Sequence, residues 1–384
     1  MIARRITQLG VLALLGSFAG CGDEPSGEGE GETAGTEGET GDGDGDQTGD
    51  GDGDPTGDGD GDDDTGSDTE TDPGPQGVFV AVGDGGRRAS STDGLAWDEI
   101  VGTGAVDTQA EMGEEDILRA VAVGDGVIVA VGGGGTDWNG NAMIMRSTDG
   151  VSWEEDLLGG TELDDRKLTA VGFANGVFIA GGHQTHILRS TDAGLSWTRV
   201  YPEHHASTTV YGVAGHEGGD VFVLVGMHQE AWDQPKITYV QRSTDGGQTF
   251  EAPTWFGVDG DQLNSIASNG ELFVAVGSQL CLRSADGAEW EPCGLAGSSF
   301  GAVSFTRDRF IVTYLDGVST SSDGLSWSAH VPSVTGVPGE VAFGNGMYVG
   351  VRYYDRGTSE ALSEWSFVTH GGFPLRDLAF LPLE

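Results

Sequence analysis

The sequence predicts an all-β fold, a seven-bladed β-propeller whose C-terminal strand closes the first blade. Three observations predict it. First, a turn phrase recurs at intervals of about 40–50 residues, the period of a propeller blade. It reads STDGLAW at Ser91–Trp97, STDGVSW at Ser147–Trp153, STDAGLSW at Ser190–Trp197 and STDGGQTF at Ser243–Phe250, then SADGAEW at Ser284–Trp290 and SSDGLSW at Ser321–Trp327. Second, short apolar segments precede each phrase, separated by Asp-Gly or Asn-Gly, residues that accept the positive φ of a two-residue hairpin. Third, the first unit starts part-way through the pattern at Gly77, and the last residues of the chain repeat the missing beginning.

From its first residue the chain runs through Arg4 and Arg5, an apolar stretch from Ile6 to Ala19, and Gly20-Cys21. That stretch is short for a membrane span and reads as an export signal over residues 1–20. Phe18-Ala19-Gly20-Cys21 resembles the lipobox of bacterial lipoproteins, which implies that Cys21 is the lipid attachment site. Gly22 rather than Asp follows the cysteine, implying retention at the outer membrane, in the cell envelope or at its surface.

Residues 21–76 form a Gly/Asp-rich spacer with 21 acidic residues and neither Lys nor Arg. Such a segment has too little apolar surface to offset the entropy of ordering, so it is expected to be disordered and stretched by self-repulsion. The tract from Gly41 to Pro55 imitates the first carboxylate spacing of a calcium loop, but Gln47 and Pro55 stand where glycine is required and no Glu closes it. Weak calcium binding by this spacer is the extent of the cofactor expectation.

The chain has 384 residues and a formal net charge of −44. Setting aside the two leader arginines and the spacer's 21 acidic residues leaves 16 basic and 41 acidic residues, a net of −25. An acidic body of this kind is not expected to bind nucleic acid or anionic lipid, so membrane contact is expected through the lipid anchor alone. Cys281 and Cys293 flank the SADGAEW turn almost symmetrically. In an oxidising compartment a disulfide between them is favoured over two buried thiols.

Residues 77–384 repeat one sentence. An alternating strand comes first, as in LRAVAVG from Leu118, and an Asp-Gly or Asn-Gly turn leads to a β-rich second strand such as VIVAVGG from Val127. A third strand ends in Arg-Ser-Thr, and the fourth carries an aromatic residue: Trp97, Trp153, Trp197, Phe250, Trp290, Trp327 and Trp365. Seven aromatics mean seven blades, the seventh degenerate because Glu360 replaces the turn Asp. The first blade lacks its innermost strand, and Leu375–Phe380 is expected to supply it, which removes the exposed sheet edges.

These repeats resemble the Asp-box (BNR) family, whose propellers occur in bacterial sialidases, sortilin-type receptors, xyloglucan-cleaving hydrolases and a photosystem assembly factor. The resemblance spans essentially all of 77–384, and STDAGLSW and STDGGQTF fit the full Ser-x-Asp-x-Gly-x-x-aromatic pattern. The physics is local. The Asp carboxylate accepts backbone N–H bonds within the turn, Gly takes positive φ, and the ring packs between blades. Asp93, Asp149, Asp192, Asp245, Asp286 and Asp323 are therefore expected to be structural rather than catalytic.

Loop length carries the functional signal, because variable loops on a rigid scaffold are where function usually sits. One face of the disc has short turns, and the long connections open on the other. Three tryptophans that the repeat does not explain, Trp138, Trp232 and Trp255, all fall in those loops, beside Asp, Asn, Gln and His. Aromatic faces in that company suit glycan or peptide recognition, and each ring equally suits packing of its own loop. His183, His186, His204, His205, His216 and His228 also cluster there. His183 and His186 project to opposite faces of an extended strand, as do adjacent His204 and His205, so no metal site is expected.

Aligned inner strands place Arg119 and Arg376 at equivalent positions of adjoining blades, with Arg87-Arg88 in a loop on the same face. Together they suit a carboxylate-binding patch at the mouth of the central channel, or local pairing with acids such as Asp377, Glu114 or Asp116. Two function classes remain. One is a tethered, non-enzymatic and monomeric module that binds a glycan, peptide or protein partner. The other is a glycoside hydrolase of sialidase type, which the resemblance implies would need an arginine triad, a Tyr–Glu nucleophile pair and an Asp acid. The family's Arg-Ile-Pro motif is missing before the first turn, where the chain reads GDGGRRASSTDG, so binding is the favoured class.

Overall fold

A computed structural model describes residues 76–383 except 101–116, 135–140, 155–157, 159–162, 164–165, 203–206, 232, 257–260, 296, 298, 315–316, 333–338 and 372–373. The chain divides into two units, Met1–Gly66 and Ser67–Glu384, and the described residues belong to the second. The export signal, Cys21 and the spacer up to residue 75 lie outside them.

Seven antiparallel sheets make a seven-bladed propeller. Six have four strands, and blade 2 has three, with a fourth edge reduced to an Arg146–Glu154 bridge. The inner strands are Leu375–Pro382 in blade 1, Leu118–Gly124, Leu168–Ala174, Thr208–Gly215, Leu263–Ser268, Val303–Thr306 and, in blade 7, Glu340–Gly344. Each packs on the next, and the seventh returns to the first.

Closure follows the sequence expectation. Leu375–Pro382 pairs with Gly77–Gly83 from Gly77↔Pro382 to Val82↔Asp377. The Asn345 side chain in the inner turn of blade 7 accepts the Gly77 N–H at 2.8 Å and donates to the Gly77 carbonyl at 2.8 Å. It thereby ties the first strand of the chain to the last blade.

Among the described residues the core is seven apolar clusters, each filling one seam between neighbouring blades. Every blade is thus buried on both faces. This is why second strands read as unbroken apolar runs rather than alternating ones; Val127–Gly133 is buried at each position.

The recurring turns form as hydrogen-bonded latches. Ser91 Oγ accepts the Gly94 N–H at 2.8 Å, and Asp93 Oδ1 accepts those of Leu95 and Ala96 at 2.8 Å each. Backbone N–H bonds of this kind hold the carboxyls of Asp93, Asp286 and Asp323 below the usual carboxylate range. The turn glycine is needed twice over. Gly194 has φ 79°, and a Cβ there would lie 2.8 Å from Val129 Cγ2 of the preceding blade. Trp97, Trp197 and Trp290 donate their indole N–H to their own turn glycine's carbonyl at 2.8, 3.0 and 3.1 Å. Trp327 reaches instead to the Cys293 carbonyl of blade 5, at 2.9 Å. Cys293 is joined to Cys281 by a disulfide within that blade.

Candidate functional site

The inner strands enclose an axial cavity of about 250 Å³ to which all seven blades contribute. The strand registers define a ring of equivalent positions around it, set by pairing to the same place on each second strand. Around the cavity that ring reads Ala120, Ala170, Gly212 and Ser265 in blades 2–5 and Glu340 in blade 7, with Asp377 completing it in blade 1, while Val303 and Ser304 line the cavity from blade 6. Four small residues keep the channel open. Two adjacent carboxyls break the pattern.

Asp377 Oδ2 accepts the Val121 N–H of blade 2 at 2.8 Å, and Oδ1 accepts the Leu378 N–H at 2.7 Å. Burial outweighs both bonds and drives its pKa up to about 6. Burial first, and then the charge of Asp377, push Glu340 well above the carboxylate range, while Ser304 Oγ donates to Glu340 Oε2 at 3.3 Å. Each keeps a sliver of surface toward the channel and is otherwise enclosed. Both carboxyls therefore hold their protons more tightly than free ones, with burial the first cause in each.

Above that ring, on the face where inner strands begin, β-bulges turn out a second row: Arg119, Thr169, Tyr211 and Asn264, with Arg376 at the matching irregularity of blade 1. Arg119 donates to the Gly133 carbonyl at 2.6 Å and the Ile117 carbonyl at 3.3 Å. Arg376 pairs bidentately with Asp84 at 2.6 and 2.9 Å. Burial, then the charges of Arg119 and Lys167, lower the His183 pKa to about 4. His183 is neutral above that, with Nδ1 3.1 Å from Thr209 Oγ1. The positive charge at the mouth of the channel thus comes from Arg119 and Lys167 in blades 2 and 3, whereas Arg376 of blade 1 is paired with Asp84.

The structure thus brings Arg119 and Arg376 to the rim but gives Arg376 a partner, Asp84, that the sequence reading did not weigh. Arg88 does not join them: it is 2% exposed and points at Met145 Sδ, 3.5 Å away in blade 2. Arg87, 4% exposed, donates to Glu99 within the blade 7–blade 1 seam instead. Trp255 is half-buried against the core of the blade 3–blade 4 seam, its ring 4.8 Å from His228 and 5.5 Å from Tyr239, and so packs its own blade. Trp138, Trp232, His204 and His205 lie outside the described residues. His186 is fully buried, with Nε2 2.9 Å from the Leu163 carbonyl and its backbone N–H donating to the His183 carbonyl at 3.1 Å. Lys167 and the importance of the Glu340–Asp377 pair were missed by reading the repeat as a pattern to be matched; the signal lay in where it is not matched.

No model of a known protein family matches the chain, and no curated protein does. Among solved structures, U3-55K is similar over 80% of this chain and 92% of its own length, at 10% identity and a TM-score of 0.51. At that identity the likeness bears on the fold alone. YCF48 from Cyanidioschyzon merolae is similar over 70% of this chain and 89% of its own, at 16% identity and a TM-score of 0.47. A structure described as YCF48 bound to D1 peptide covers 65% of this chain and 81% of its own, at 17% identity and a TM-score of 0.47.

Proposed function

We propose that this chain is an exported lipoprotein of the Asp-box type, acylated at Cys21 and held at the outer membrane, whose propeller binds a peptide, protein or glycan partner through its long-loop face. The observation that carries the reading is the channel mouth. The charges of Arg119 and Lys167, felt at His183, stand at the rim above a small polar chamber that ends on the Glu340–Asp377 carboxyl pair, with Arg376 paired to Asp84 beside them. Such a rim attracts an acidic group, and the chamber below accepts a short polar or cationic one, so a ligand bearing both is matched along one axis.

The test is an array of peptides and glycans probed with the exported form. Signal on the array that falls in an Arg119→Gln/Lys167→Gln protein supports the reading. An array without signal, or one indifferent to those changes and to a Trp138/Trp232/Trp255 triple-alanine protein, removes it.

A glycoside hydrolase of sialidase type is the second reading, and one observation favours it: two buried carboxyls on neighbouring strands, both with raised pKa values. Against it, both Asp377 oxygens already accept backbone N–H groups, and the rim arginines are engaged by Asp84 and by main-chain carbonyls. Turnover of a fluorogenic sialoside or of aryl glycosides, lost in Glu340→Gln, reverses the order.

A further inference from the structure

The axial chamber has two unlike sides. Ala120, Ala170 and Gly212 of blades 2–4 line it with methyl groups and bare backbone, whereas Glu340 of blade 7 and Asp377 of blade 1 line it with carboxyls. Its volume, about 250 Å³, falls short of the roughly 300–1,000 Å³ of a pocket that takes a whole drug-sized molecule. An occupant the size of one amino-acid side chain suits it.

The two carboxyls keep acceptor capacity that the protein leaves unused. An ionised carboxylate offers about four acceptor sites. Asp377 accepts the N–H groups of Val121 and Leu378, and Glu340 accepts the Ser304 hydroxyl through Oε2. Glu340 Oε1 is left with no hydrogen bond from the described residues. No Lys, Arg or His is among the residues that line the chamber, so no cation in its walls offsets the pair. Arg119, Lys167 and His183 stand at the rim, and Arg376 there is held by Asp84. Enclosing two carboxyls together is costly, and a cation between them offsets the cost. A metal ion is a poor match. Calcium takes roughly 6–8 oxygens and zinc about four ligands, and among the described residues no three His, Cys, Asp or Glu converge. A primary ammonium brings three N–H donors and demands no fixed coordination geometry.

We propose that the axial chamber binds a primary ammonium on an alkyl stem, a lysine side chain or a free alkylamine, with the ammonium on Glu340 and Asp377 and the methylenes along Ala120, Ala170 and Gly212. A long cationic side chain packs in this way, its stem on apolar surface and its head at the polar end. The site deepens the channel reading and rests on it only for the axis along which a ligand enters. A cation beside a carboxyl favours the charged form, so binding expels protons that the pair holds more tightly than free carboxyls do. Tyr211, the other titratable group in the walls, has its pKa raised by burial, and His183 at the rim titrates near 4. Between pH 5 and pH 8 the titration is therefore that of the carboxyl pair.

The test is isothermal titration calorimetry of the full chain at constant ionic strength, with n-butylammonium chloride as the probe and n-butanol as its uncharged counterpart. Saturable binding of the amine and none of the alcohol is expected, tighter at pH 8 than at pH 5. At pH 6 the heat should vary with the ionisation enthalpy of the buffer in the sense of proton release, a readout that needs no variant. Glu340→Gln and Asp377→Asn each remove one charge at constant shape, and each should weaken the amine by about tenfold or more. Nα-acetyl-lysine methylamide distinguishes the sources: tighter binding than butylammonium assigns a peptide lysine, and weaker binding a free amine. No saturable heat from either amine, equal binding of butanol, or affinity unchanged in both variants overturns the proposal. Array signal that depends on Arg119 and Lys167 without amine binding removes this site alone. Amine binding with a silent array removes the rim reading alone.

Discussion

Replacing Asp377 by Asn tests the electrostatics of the channel directly. The carboxyl's pKa rises from 3.8 to about 6 on folding, because burial disfavours the charged form. A group that binds its proton more tightly when folded costs nothing below its unfolded pKa. Its penalty then grows as the pH climbs and is complete once the pH has passed the folded value. At 1.36 kcal/mol per pKa unit the total is about 3 kcal/mol, accumulated between pH 4 and pH 7. Asparagine has the same shape and does not titrate. It presents one amide oxygen to two backbone donors, Val121 and Leu378, so it forfeits on the order of 1 kcal/mol at every pH. The variant should therefore be less stable than the wild type at pH 4 by about 1 kcal/mol and more stable at pH 8 by about 2 kcal/mol. Guanidinium midpoints at pH 4, 6 and 8 measure the crossing, and the difference between the two proteins cancels the general repulsion of an acidic chain. A difference that stays flat with pH, or that moves against the variant as pH rises, refutes the burial argument.

Three other outcomes follow from the same structure. The disulfide closes a loop of sequence separation 12, so a Cys281→Ser/Cys293→Ser protein should lose about 3 kcal/mol by calorimetry, with the wild type under reductant falling to the same transition. The His183 ring should titrate near 4 by NMR; Arg119→Gln or Lys167→Gln removes a charge that opposes protonation, so its midpoint should rise, and a midpoint that stays put contradicts the assigned cause. Gly194→Ala forces a Cβ into a positive-φ turn and against Val129, and should cost about 2 kcal/mol or more in a urea titration.

The fold was legible because its determinants are local and repeated. Ser, Asp, Gly and Trp each have a job within one turn, so the phrase that encodes it is the same wherever the turn occurs. Closure was legible for a related reason: Leu375–Phe380 is an inner-strand phrase with no second strand after it, and Gly77–Gly83 is a second-strand phrase with no inner strand before it. The rim was half legible. Alignment placed Arg119 and Arg376 in register, but the partner of Arg376 lies 292 residues away at Asp84, and that separation is crossed only by closing the ring. Arg88 shows the opposite failure. A basic residue beside a loop reads as exposed, yet strand pairing turns it into the blade 1–blade 2 seam.

A repeat carries its own control, and that is what makes the remaining sites arguable. Each register is sampled in seven blades, so a residue type shared by most of them reports what the fold needs there. A departure reports something else. The register pairing Ala120 with Val131 and Ile144 is small, apolar and apolar across a blade. In blades 7 and 1 the same row becomes Glu340, Val351, Arg356 and Asp377, Val82, Arg88. Both departures fall in the two blades joined at closure. A buried charge at such a position costs several kcal/mol unless it is paired, and five blades show that the fold manages without it. Stability therefore does not explain the row. Structural pairing explains Arg87–Glu99 best, whereas Glu340, Asp377 and Arg356 keep perturbed pKa values that their local partners do not relieve. Restoring the common residue at the channel, as in Glu340→Ala, should raise or preserve stability while removing the array signal, and a loss of fold would assign the row to architecture instead.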